Sequence, residues 1–285
     1  MPPLALVVLA LLMGGVWPRL MARQTRFRYT PQAALLAWQA VSLGAIISAL
    51  AAAPAAIPSF SGGRGLGDQW VLLALVCLVS GAVLISLLVS GHRVGTRLRA
   101  LRDDHLALVD LIGADGQGRD RSVRVLEHPL PTAYCIPGRR SRVVLSQGTL
   151  EQLSTAELDA VLAHERAHLQ ARHDLLLEFF TVVHEAVPAP LRVPVALDEV
   201  RLLIEVLADR VAIREAGAVH TARALFAVAA GRAPDEVMSG GSAAGPRLQL
   251  MAGAHSTPWL TLLAYAFALA SVLAPVALAV WPFTM

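Results

Sequence analysis

Four stretches of the chain carry no charged residue over lengths that suit a lipid bilayer: residues 2–18, 33–57, 70–91 and 258–283. A bilayer core calls for ~20 apolar residues in a helix and tolerates ~17, so the pattern predicts four transmembrane helices. Between the third and fourth, residues 92–257 alternate polar and apolar positions and read as one sizeable soluble region. Residues 94–111 place Arg, Leu and Asp at helical spacing, as in a helix leaving the membrane, and a Gly/Asp-rich break follows at 113–119. Residues 122–127 alternate like a strand, and 142–146 form a second β-branched run. The turn chemistry of Cys135-Ile136-Pro137-Gly138-Arg139-Arg140 lies between them, so a small hairpin or sheet is expected. Ser154-Thr155-Ala156-Glu157 fits a capping box opening a helix that runs to about Arg172. A long helix is expected over 197–216 with Gly217 as its left-handed stop, then a helix over 221–230 and a loop across 231–246. The expected organisation is an α-helical polytopic membrane protein with spans in 1–91, an inserted α+β domain over 92–257, and a fourth span in 258–285.

Composition strengthens this reading. Only 16% of the 285 residues are charged while 55% are hydrophobic, and the mean hydropathy is +0.57. An ordinary soluble domain is more polar. Residues 2–18 lack the basic n-region of a signal peptide, so an uncleaved helix is expected. Arg19, Arg23, Arg26 and Arg28 follow the first apolar run, and Arg93, Arg97, Arg99 and Arg102 follow the third. The loop between the second and third holds Arg64 balanced by Asp68. The positive-inside bias then puts residues 92–257 in the cytosol and both termini outside, as expected in a bacterial cytoplasmic membrane.

The net charge of +3 comes from these flanks, and no basic stripe argues for nucleic acid. Cys77 lies in a span and Cys135 in the soluble region, which excludes a disulfide between them. All 24 basic residues are arginine. A chain without lysine cannot use P-loop phosphate binding or S-x-x-K acylation.

The candidate chemistry lies in LAHERAHLQARHD, residues 162–174. On a helix, positions four apart share a face, so His164 and His168 can aim both imidazoles at one Zn²⁺. Glu165 is turned about 100° around the axis and does not ligate. It is placed to take a proton from a water at the metal's open position, the arrangement of a metal-assisted peptide hydrolase. Leu158, Val161, Leu162 and Leu169 extend the same side as an apolar arc, opposite Asp159, Arg166 and Gln170. The plainer reading is an amphipathic helix with incidental histidines.

Two histidines leave the site incomplete, and hydrolytic zinc usually takes three protein ligands. His173, Glu178, His184, Glu185, Asp198, Glu199 and Glu205 lie downstream. Glu205 stands out because Glu205-Val206-Leu207-Ala208-Asp209 repeats the four-residue spacing within an apolar turn. One of these carboxylates would bind the metal and the other accept a ligand histidine's free N–H. The competing reading pairs the two acids with Arg201 or Arg210. Tyr134 and His173 are candidates for oxyanion or substrate contacts, although His173 also reads as a solvated residue at the helix end and Tyr134 as a core or interface tyrosine. The run 142–146 is where a substrate chain would pair as an added strand.

AYCIPG, RVVLS, LSTAELDAVLAHERAHLQARHD and EVLAD, set between three spans and one more, resemble the BlaR/MecR family of membrane metallopeptidases. The resemblance implies a small gluzincin domain with one zinc ion held by His164, His168 and Glu205. It implies Glu165 as general base and Asp209 behind the ligands. It further implies a sensor-transducer that inactivates a cytosolic winged-helix repressor of the BlaI/MecI type, often with self-cleavage. The lipid bilayer is then its surroundings, direct nucleic-acid binding is not expected, and a homo-oligomer is compatible with the arrangement.

The resemblance has one departure. The family's antibiotic sensors carry a penicillin-binding domain after the fourth span, and here the sequence stops at Met285 without any lysine, so covalent β-lactam sensing is not expected. Two alternatives stand beside this reading. One is a quality-control protease resembling the HtpX type, and the other a non-catalytic receptor or scaffold in which a metal staples two helices. A site-2-type intramembrane protease is disfavoured, since Glu157, Asp159, Arg166 and Arg172 surround the motif.

Overall fold

The computed structural model describes residues 2–59, 66–116, 122–230, 244–253 and 258–284. Helices α1 (Pro2–Leu11) and α2 (Trp17–Arg23) run together through a π-helical turn at Leu12–Val16. Helix α3 spans Pro31–Ala56 and α4 spans Leu66–Ile112. Strands β1 (Ala114–Asp115), β2 (Val123–Leu126), β3 (Ala133–Ile136) and β4 (Arg142–Ser146) follow. The rest is helical: α5 (Gln147–Gln152), α6 (Thr155–Gln170), α7 (His173–Ala186), α8 (Pro194–Ala216), α9 (Ala218–Ala230), α10 (Ala244–Ala252) and α11 (Pro258–Val280).

Two differences from the sequence reading have physical causes. No proline lies at the junction between the third apolar run and the polar residues after it, and Gly91 and Gly95 there do not interrupt the hydrogen-bond ladder, so both belong to one helix of 47 residues, α4. Residues 173–186, which the pattern leaves without an element, form α7, with the apolar Leu175, Leu176 and Leu177 in its first turns. Most of the loop expected over 231–246 lies outside the described residues, and Gly245 and Pro246 belong to α10.

Packing divides the chain into two compact units. The first comprises Met1–Val94, Phe179–Val200 and Ser256–Met285. In it α3 packs against α1 and α11. A Cβ on Gly44 would lie 2.3 Å from the Ser271 carbonyl oxygen. Only glycine permits that approach, the small-residue device of helices packed in lipid. Ser80 Oγ donates to the Ala49 carbonyl at 2.7 Å, and Ser90 Oγ to the Val182 carbonyl at 2.8 Å. Leu75, Leu78, Ile85 and Leu88 of α4 are exposed, a surface suited to acyl chains. Among the described residues, four helices are long and apolar enough to cross a membrane: Pro2–Arg23, Pro31–Ala56, Trp70–Ile112 and Pro258–Phe283.

The second unit, Gly95–Glu178 with Arg201–His255, holds a four-stranded mixed sheet in the order β1-β2-β4-β3. β4 runs parallel to β2 and antiparallel to β3. Side chains alternate across it. Ala133, Val143 and Leu145 pack on Leu158, Val161 and Leu162 of α6 and Ala224 of α9. Tyr134, Ile136 and Val144 face Leu106 and Val109 of α4. The run 142–146 is therefore an inner strand with both edges occupied, which corrects the expectation that a substrate would pair there. The edge strands are the two-residue β1 and the longer β3.

α6 begins as its sequence predicts. Ser154 Oγ accepts the Glu157 N–H at 3.4 Å, and the Ser154 N–H donates to Glu157 Oε2 at 2.9 Å. The helix ends at Gln170, two residues before the expected stop. Gly217 closes α8 in the left-handed region, at φ 87°.

Candidate metal centre

Two helices of the second unit supply the site. α6 presents His164 and His168 one turn apart, with ring centroids 4.9 Å from each other and their Nε2 atoms 3.2 Å apart. α8 brings Glu205 against them. Oε2 lies 3.5 Å from His164 Nε2, and Oε1 lies 3.6 Å from His168 Nε2. The three candidate donor atoms all fall within 4.8 Å of one another. Two imidazole nitrogens and a carboxylate oxygen form a zinc-type donor set. Bonds of ~2.0–2.1 Å in tetrahedral geometry imply donor separations of about 3.3 Å. The imidazole nitrogens at 3.2 Å meet that requirement, and each has a different Glu205 oxygen at 3.5 or 3.6 Å.

Behind the donors is a layer of charge. Asp209, 2% exposed, accepts His164 Nδ1–H on Oδ1 at 3.0 Å. Its other partner is Arg247 of α10, whose Nε donates to Oδ2 at 2.8 Å and Nη2 to Oδ1 at 2.6 Å. Arg247 Nη1 also reaches Glu205 Oε2 at 2.9 Å. Both acids thus pair with Arg247, a partner that the sequence reading did not consider. Arg247 had no signal in the sequence, since it follows a Gly/Ser/Ala-rich stretch and shares no spacing with the acids.

The electrostatics follow from this packing. Burial works against the His164 cation, but hydrogen bonds to Asp209 and Glu205 outweigh it and raise its pKa to about 9. His168 is governed by burial and is lowered to about 4. Burial raises Glu205 and Asp209, yet both end below the ordinary carboxylate range. For Glu205 the His164 hydrogen bond and the Arg247 charge outweigh burial, and for Asp209 hydrogen bonds from Arg247 and His164 do so.

Glu165 lines the same cavity of about 260 Å³, next to the metal donors. Across from it Cys135 of β3 keeps its proton, first because it is buried and then because it faces the Glu165 carboxylate. Ala160, Val161, Ala224, Leu225 and Val228 give the rest of the cavity an apolar wall.

The remaining candidates separate. Tyr134 borders the cavity, but its hydroxyl pairs with His105 Nε2 at 2.9 Å and its ring belongs to the α4 side of the sheet. His173 is not a solvated helix-end residue: it opens α7, is 5% exposed, and meets His168 from behind. It is not among the residues that line the cavity. Among the other candidate third ligands, Glu178 pairs with Arg102 at 3.3 Å. In the first unit, Glu199 is held by Arg28, with Nε–Oε2 at 3.0 Å.

Residues 98–189 match peptidase family M48. The matched stretch contains His164, Glu165 and His168 and ends before Glu205, Asp209 and Arg247. A curated relative, the plastoglobule-localized metallopeptidase 48 of Arabidopsis thaliana chloroplasts, is 39% identical over 61 residues. That alignment covers 21% of this chain and 18% of the relative. No solved structure matches significantly. A peptidase family M48 domain is thus present across residues 98–189.

Proposed function

We propose that this chain is a membrane-anchored zinc endopeptidase. The observation that carries the reading is the convergence of His164, His168 and Glu205 beside Glu165 in one cavity. Zinc held by those three donors would supply Lewis acidity, polarising a peptide carbonyl and acidifying a water. The chain's own groups do the rest. Asp209 fixes His164 with its proton on Nδ1, so that Nε2 turns to the donor set. Glu165 takes the proton from the attacking water and passes it to the departing amine.

Substrate positioning is the task of β3. Ser146 N–H donates to the Thr132 carbonyl at 2.9 Å, which makes 132/146 a hydrogen-bonded pair. By antiparallel alternation Ala133 and Cys135 then turn their backbone groups to the open edge. An extended polypeptide pairing there passes directly over the cavity.

The finer reading places the domain in the cytosol of a bacterium, under the inner membrane with both termini outside, and makes a BlaI/MecI-like winged-helix repressor its substrate, with self-cleavage as a companion reaction. The arginine bias after the first and third apolar runs and the family-like segments support it. The match to family M48 equally supports the HtpX-like alternative, in which membrane proteins generally are cleaved.

The test uses detergent-purified full chain, wild type and Glu165→Gln, incubated with a co-encoded repressor and with unfolded membrane proteins, followed by mass mapping of fragments. Wild type is expected to cut and Glu165→Gln to keep zinc while losing ~10²–10⁴ in rate. Undiminished cutting by Glu165→Gln would reject the catalytic assignment, and cutting confined to membrane proteins would replace the repressor reading.

A further inference from the structure

His168 turns its Nε2 toward His164 and Glu205, so its Nδ1 is the rear nitrogen. That atom lies 3.1 Å from His173 Nδ1, with the two rings edge-on at 84° and centroids 4.9 Å apart. We infer that His173 is the positioning residue of the second metal histidine, accepting its rear N–H and so fixing its tautomer and ring plane. The inference rests on the zinc reading proposed above.

Proton accounting gives the direction of the bond. A neutral His168 that offers a lone pair at Nε2 carries its single proton on Nδ1. Two nitrogens 3.1 Å apart share one proton, so His173 accepts at Nδ1 and keeps its own proton on Nε2. His164 has the parallel arrangement with a carboxylate, Asp209. The centre thus holds one ligand by an anion and the other by a neutral ring.

The backbone supports the assignment independently. If α6 simply continued, residue 173 would lie about 140° around the axis from residue 168, facing elsewhere. Instead the helix ends at Gln170, and Arg172 adopts φ 51°, a left-handed conformation. Among the described residues no other non-glycine side chain has a positive φ. Such a conformation is strained in a residue other than glycine, and strain of this kind persists where the surroundings impose it. Here it reverses the chain so that His173, the first residue of α7, folds back onto the His168 ring. Arg102 pins the start of α7 by reaching Asp174 at 3.6 Å and Glu178 at 3.3 Å.

The experiment measures zinc affinity by chelator competition on detergent-purified full chain, alongside melting of the metal-free form. His173→Ala and His173→Leu are expected to weaken zinc binding about 10–100-fold. His173→Asn, which keeps an acceptor at similar reach, is expected to restore affinity to within about threefold of wild type. Affinity unchanged in His173→Ala, or lost equally in the Leu and Asn variants, would overturn the inference. Wild type that takes up no zinc would instead remove the reading beneath it, so the two failures are distinct.

Discussion

Arg247 grips both carboxylate oxygens of Asp209, at 2.8 and 2.6 Å, and touches Glu205 with its remaining nitrogen at 2.9 Å. One guanidinium therefore balances two acids in a buried place, and the fork geometry that makes this feasible is peculiar to arginine. In the metal-free protein it supplies much of the positive charge those carboxylates need.

Arg247→Ala leaves that pair of acids without their cation. Removing one member of a buried ion pair costs about 3–5 kcal/mol, and the cost should be felt mainly before metal binding, because zinc brings its own charge to Glu205. The melting temperature of the metal-free variant is expected to fall sharply, and the rise on adding zinc to exceed that of wild type. Equal zinc-induced shifts in the two proteins would show that Arg247 does not compensate the centre.

Metal-free protein should be most stable near neutrality. His164 has a folded pKa of about 9 against an ordinary 6.5, so its contribution is complete below 6.5 and is lost as pH rises through about 9. His168 is lowered to about 4, so it costs nothing above 6.5 and destabilises increasingly as pH falls toward 4. Burial lowers His173 in the same direction. Chelator-treated protein scanned by thermal melting is expected to peak near pH 6.5 and decline on both sides. A melting temperature still climbing through pH 9 would contradict the His164–Asp209 pairing.

Cys135 gives a chemical probe of the cavity. Burial and the neighbouring Glu165 carboxylate both keep it as a thiol, and alkylation needs the thiolate. With Cys77 replaced by serine, iodoacetamide at pH 8 is expected to react at least about tenfold more slowly than with a free thiol, and Glu165→Gln to accelerate the reaction. Rapid labelling unaffected by Glu165→Gln would place Cys135 elsewhere.

The parts of this protein that were legible in sequence are those whose signal is local. The capping box at Ser154 and Glu157, the one-turn spacing of His164 and His168, the strand 142–146 and the stop at Gly217 each depend on a few neighbouring residues. Glu205 and Asp209 were readable because helical spacing repeats four residues apart. What escaped depends on contacts distant along the chain. Nothing around Arg247 announces an acid thirty-eight residues earlier. The burial of His173 follows from a single backbone reversal at Arg172, a position where glycine would ordinarily advertise the turn. That β4 is interior and β3 at an edge is a matter of strand order, which alternation cannot specify.

The thirty-eight residues separating Asp209 from Arg247 also bear on biosynthesis. A ribosome that has released only the histidine helix has exposed two imidazoles and a glutamate, but neither the third donor nor the carboxylate that orients the first ring. Closing that long loop is entropically costly until tertiary contacts reward it, and metal uptake is tied to the folding it stabilises. On the zinc reading, a nascent chain would therefore gain its complete donor set only once α8 has followed α6, and the charge balance of that set only when Arg247 arrives.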